Sequence, residues 1–169
     1  MVIVNTVVLV QALQQRPPND VAIALGCFGG GSMVAALLLP RLLDRVSDRS
    51  VMLPAAAFLG AVLIVVGFLS PGGAIPWLLL LPTWLALGIG YSAAQTPTGR
   101  LLRRSATAED RPAIFAAQFA LSHAAWLVTY PLAGWLGARA GMPTTLVVLG
   151  CLNVAGVVAA TRLWPAQDP

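Results

Sequence analysis

The chain has 169 residues, of which 58% are apolar before its 16 glycines are counted and only 9% are charged. A water-soluble domain is about 45–50% apolar with glycine included and about 25% charged, so too few charges are present to coat a water-facing surface. That composition, with a mean hydropathy of +0.82, all but excludes a soluble enzyme and points to a membrane protein.

A helix needs about 20 apolar residues to cross a hydrocarbon layer about 30 Å thick, so uncharged runs of that length mark the spans. Residues Met1 to Leu13 are uncharged but short, and as a helix they reach only about 20 Å. They read as the outer part of a sixth span whose beginning is missing. A signal peptide fits less well, because no basic residue precedes Arg16. Five complete spans follow: Val21 to Leu39, Val51 to Leu69, Ile75 to Thr98, Pro112 to Ala138 and Met142 to Thr161. The segments between them are too short to be soluble domains, so residues 1–169 form a single transmembrane unit. An all-α polytopic bundle is expected, since an unclosed set of strands cannot satisfy its backbone in lipid.

The first complete span places Ala22, Gly26 and Gly30 at four-residue steps, a spacing that lets another helix approach closely, and Gly26 and Gly30 are the expected packing residues. Its end runs into the turn Pro40-Arg41-Leu42-Leu43-Asp44-Arg45-Val46-Ser47-Asp48-Arg49. There Asp44, Arg45 and Arg49 can form a charge network that ties neighbouring helices and serves as a gate or brace. The span Val51 to Leu69 has no polar side chain. The next one aligns Trp84, Gly88, Tyr91 and Gln95 on one face. In the span Pro112 to Ala138, Gln118, Ser122 and Thr129 form a narrow stripe flanked by His123, Trp126 and Tyr130. Polar groups inside lipid tend to face protein or a water-filled cavity. Candidate cavity residues are therefore Gln118, Ser122, Thr129, Tyr130, Gln95, Tyr91 and His123, with hydrogen bonding between helices as the plainer alternative. The last span offers only Asn153 and threonines. Pro82 and Pro131 sit inside spans, where kinks are expected.

Orientation follows from the ten arginines; the chain has no lysine. Arg41, Arg45, Arg49, Arg100, Arg103, Arg104, Arg111 and Arg162 fall on one side, and only Arg16 and Arg139 on the other. The richer side, with the C-terminus, is expected to be cytoplasmic. Arginines so placed set topology and give no nucleic-acid surface. The lone histidine and the absence of an in-span carboxylate leave no metal-ligand set, and no cofactor is expected. Cys27 and Cys151 read as buried thiols. The run Gly29-Gly30-Gly31-Ser32 with His123 is a poor match to an intramembrane serine protease, because Met33 stands where a glycine is expected.

The turn at Pro40 resembles the loop motif of the major facilitator superfamily, Gly-x-Leu-x-Asp-Arg-x-Gly-Arg-Arg. Leu42, Asp44, Arg45 and Arg49 match it, Pro40 and Ser47 replace the glycines, and Asp48 replaces a basic residue. The arginine-rich loop Gly99 to Arg111 and the segment Gln118 to Gly134, ending Tyr130-Pro131-Leu132-Ala133-Gly134, are similar to the same family's second half. The resemblance implies spans seven, in part, to twelve of a twelve-span transporter. It implies alternating access to a small-molecule substrate in the plasma (inner) membrane, with a second six-helix half as partner, in the same chain or a separate one. In that family the tenth and eleventh spans contribute to the central region, while the ninth and twelfth are peripheral. Since about twelve spans are normal, the chain reads first as a fragment or an inactive remnant, and otherwise as a half that pairs with a partner or with itself. The alternative from another class is a non-transporting assembly or scaffold subunit.

Overall fold

A computed structural model describes residues 1–70, 72–73 and 75–164. The last residues, on which the expectation about the C-terminus falls, lie outside them. Every regular element described is helical. Helix α1 (Val2–Val7) runs straight into a π-helical stretch, Val8–Leu13, and is followed by α2 (Pro18–Leu43) and α3 (Asp48–Phe68). Then come α4 (Trp77–Gln95), the short α5 (Thr98–Arg104), α6 (Arg111–Arg139) and α7 (Gly141–Leu163). Among the described residues five helices are long and apolar enough to cross a membrane: α2, α3, α4 together with α5, α6 and α7.

Local sequence explains the ends. A proline opens α2 with Asp20 in its first turn, and Ser47 caps α3 by accepting from the Ser50 amide at 3.3 Å. Both devices satisfy or complement amide groups that a helix start leaves unpaired. Between α6 and α7 the chain turns at Gly141, whose φ of +80° favours a residue without a Cβ.

The helices form two intimate pairs, α2 with α4 and α3 with α7, and α3 also packs on α4. Glycine makes both pairs possible. A Cβ on Gly31 would lie 2.1 Å from the Leu85 carbonyl oxygen, and one on Gly88 would lie 2.0 Å from that of Phe28. Ser32 reinforces the crossing by donating its hydroxyl to the Gly88 carbonyl at 3.1 Å. In the other pair, Gly60 and Gly150 face each other across α3 and α7. Within this chain the expected packing residues Gly26 and Gly30 have nothing within 4 Å of where a Cβ would sit, and both are exposed. The buried row of α2 is Ala24, Gly31, Ala35 and Leu39, on nearly the opposite face from the row containing Gly26 and Gly30.

Helix α1 is fastened to the interior by polar contacts. Trp84, fully buried, donates its indole N–H to the Thr6 hydroxyl at 2.9 Å, and Thr6 in turn donates to the Val2 carbonyl. Asn5 Nδ2 donates to the Ala133 carbonyl of α6 at 3.3 Å. Trp84 therefore belongs to the core rather than to a cavity face. Thr6→Val keeps the shape but strands the indole N–H, so a loss of about 1–3 kcal/mol is expected in a detergent thermal scan. Thr6→Ser, which keeps the acceptor, should melt close to the parent.

Candidate functional site

The bundle forms a half-open cavity of about 410 Å³. Its aromatic lining comes from Phe28 of α2, Tyr91 of α4, and Trp126 and Tyr130 of α6. Leucines at 59, 63 and 87 line the aliphatic side, and Met1, Val2 and Ile3 at the start of α1 form one wall. The polar contributions are Thr129 and Asn153. Most of these lining groups on α2, α3, α4, α6 and α7 fall within the middle half of their own helices, Leu63 and Tyr91 lying further along, so the cavity lies at mid-depth. That depth is where membrane carriers hold solutes.

Two aromatic pairs shape the space. Phe28 and Tyr91 meet across the α2–α4 crossing with centroids 5.8 Å apart and planes tilted by 45°. Trp126 and Tyr130 stack with centroids 5.8 Å apart and planes 11° from parallel. The stack continues along α6 through His123, 4.7 Å from Trp126, to Phe119, 3.8 Å from His123.

Three of the sequence candidates, Tyr91, Thr129 and Tyr130, are thus brought together around this cavity. Gln95, Gln118, Ser122 and His123 do not line it. Gln118 Nε2 donates to the Ser122 hydroxyl at 3.2 Å, which donates back to the Gln118 carbonyl at 2.8 Å. His123 Nδ1 lies 2.8 Å from the Phe119 carbonyl, and Gln95 is exposed on α4. Gln118, Ser122 and His123 thus find their partners within α6. They sit toward its arginine-rich end, away from the Ala133 and Leu136 positions that its neighbours bury. None of the most apolar window of α6 is buried by the rest of the chain. Asn153 was missed, because one polar residue on an apolar helix gives no stripe to detect.

A second constellation braces the arginine-rich end. Asp48, fully buried in the first turn of α3, accepts from Arg100 Nη2 at 2.6 Å and Nε at 3.0 Å, and from Arg104 Nη1 at 3.3 Å. Arg100 also donates from Nη1 to the Leu43 carbonyl at 2.8 Å. One guanidinium therefore holds the carboxylate at the start of α3 and a carbonyl at the end of α2, each where the helix dipole favours that charge. Of the residues expected to form the gate or brace, Asp44 and Arg45, at and just beyond the end of α2, are exposed and make no ion pair among the described residues. Arg49 reaches across to α7, donating to the Thr161 carbonyl at 3.3 Å. The i, i+4 spacing of Arg100 and Arg104 was visible in the sequence; their partner was not. At the opposite end Arg16 pairs with Asp20 at 2.5 Å and lies 4.1 Å over the Trp77 ring.

Among the described residues no group of three His, Cys, Asp or Glu side chains converges on one point. Hydrogen bonding, stacking and apolar contact are what the cavity can offer a guest. No curated protein and no solved structure matches the chain significantly. The family model of the Major Facilitator Superfamily matches it from residue 2 to residue 169, and with five membrane-length helices the chain is an integral membrane protein that belongs to this superfamily of transporters.

Proposed function

We propose that the chain acts as one six-helix half of a permease or exporter that moves a small solute by alternating access. The observation that carries this reading is the mid-depth cavity, where aromatic faces and two neutral hydrogen-bonding side chains surround about 410 Å³ of space within an otherwise apolar bundle. The second support is α6, whose flank is left uncovered while carrying Gln118, Ser122 and His123. A second six-helix half, in the same chain or a separate one, would cover that flank and place the stripe between the halves. The arginine-rich end, with the C-terminus, would face the cytoplasm of a cell bounded by the plasma (inner) membrane. Asp48 with Arg100 would then be the brace on that side.

Reconstitution into vesicles tests the reading, with a panel of fluorescent small solutes followed in both directions. Tyr130→Ala is expected to cut transport at least about tenfold, the effect of losing one aromatic contact worth about 1.4 kcal/mol. The double variant Gln118→Ala with Ser122→Ala should also slow transport; an unchanged rate would remove the stripe from the path. If no solute moves in any assembly, a scaffold role takes its place.

A further inference from the structure

The cavity's lining also carries a statement about what it holds. None of the side chains that line it is an acid, a base or a histidine, and the ionisable group at its wall is the half-buried α-amino group of Met1. A cation entering there would leave water without meeting a counter-charge and would face that amino group, which a poorly hydrated site penalises. The aromatic pairs form flat walls, and the Trp126–Tyr130 stack presents two nearly parallel ring planes. The leucines fill the remaining side.

The polar handle is Asn153. Its Oδ1 is shut in against Gly60, so close that a Cβ there would lie 2.7 Å from it, and it has no donor. Its Nδ2 likewise makes no hydrogen bond among the described residues. A carboxamide at the rim of a cavity inside a membrane bundle, with both ends unmet, is an unfilled demand, because buried polar groups are nearly always paired.

We propose that the cavity binds a flat aromatic molecule that bears a carbonyl-type acceptor and no positive charge, with Asn153 Nδ2 as the donor that orients it between the two aromatic pairs. This rests on reading the cavity as a solute site but not on transport itself. It adds Asn153, on a helix that the sequence marked as peripheral, to the binding residues.

A neutral coumarin is a suitable probe, since it is planar, carries a lactone carbonyl and accepts excitation energy from tryptophan. With the full chain in detergent, sensitised coumarin emission should rise saturably above that of empty micelles. The neutral coumarin should bind at least tenfold more tightly than its trimethylammonium derivative. Asn153→Leu should weaken it about tenfold, the effect of one lost hydrogen bond, with an unchanged helical circular dichroism spectrum. A trimethylammonium derivative that binds as well as the neutral one would overturn the proposal without recourse to any variant. So would a folded Asn153→Leu protein of unchanged affinity. Coumarin binding without movement of any solute in vesicles would overturn the transport reading and uphold this one. Tyr130-dependent transport of charged solutes, with no coumarin bound, would do the reverse.

Discussion

Gly31→Ala or Gly88→Ala is expected to destabilise the protein by about 3 kcal/mol, at the upper end of what overpacking usually costs. The reason is geometric. The new methyl would sit 2.1 Å or 2.0 Å from a backbone carbonyl oxygen of the facing helix, and a backbone atom cannot rotate aside. Helices α2 and α4 would have to separate, which lengthens the Ser32 to Gly88 hydrogen bond and loosens the core around Trp84 and Leu87. Gly26→Ala and Gly30→Ala are the matched controls: same helix, same chemistry, no neighbour within 4 Å. They should stay within about 0.5 kcal/mol of the parent. Thermal scans in detergent, read by tryptophan emission, compare all four. Equal losses at Gly26 and Gly31 would mean that the α2 face has been assigned wrongly.

That contrast shows what the sequence could carry. The membrane class, the number of long helices and their positions were legible because hydrocarbon imposes a length and forbids charge, and both constraints read directly along the chain. The rotation of a helix was not. In α2 small residues occur at 22, 24, 26, 29, 30, 31, 32 and 35, covering most of its circumference, so periodicity alone could not choose between the Gly30 row and the Gly31 row. Where a helix carries one contrasting face, periodicity groups residues that the fold also groups: Tyr91, Thr129 and Tyr130 meet around the cavity. Gln118 and Ser122 share their stripe with Thr129, but they lie further toward the arginine-rich end, beyond the cavity. Asn5 and Thr6 gave no signal, since two polar residues in a short apolar stretch do not foretell the partners on α4 and α6 that bury them.

Asp48→Ala is expected to be the most damaging single change at the arginine-rich end. Removing one partner of a buried ion pair costs about 3–5 kcal/mol when the remaining charge stays buried. Here Arg100 and Arg104 are about 33% and 44% exposed and can rehydrate in part, while the carboxylate they lose is fully enclosed. The expected loss is accordingly smaller, about 2–3 kcal/mol, or roughly 5–10 °C in a detergent thermal midpoint. Asp48→Asn keeps an oxygen for Arg100 and should lose less. Arg100→Ala should cost more than Arg104→Ala, because only Arg100 also holds the Leu43 carbonyl and so joins the end of α2 to the start of α3. A double-mutant cycle between Asp48 and Arg100 isolates the pair, and a coupling near zero would show that the brace is incidental. Asp44→Ala, one helix end away and exposed, should leave the midpoint unmoved. The two aspartates thereby separate what motif matching and burial each say. Asp44 occupies the superfamily's motif position, whereas Asp48, which stands where the motif has a basic residue, is the one around which three helices close.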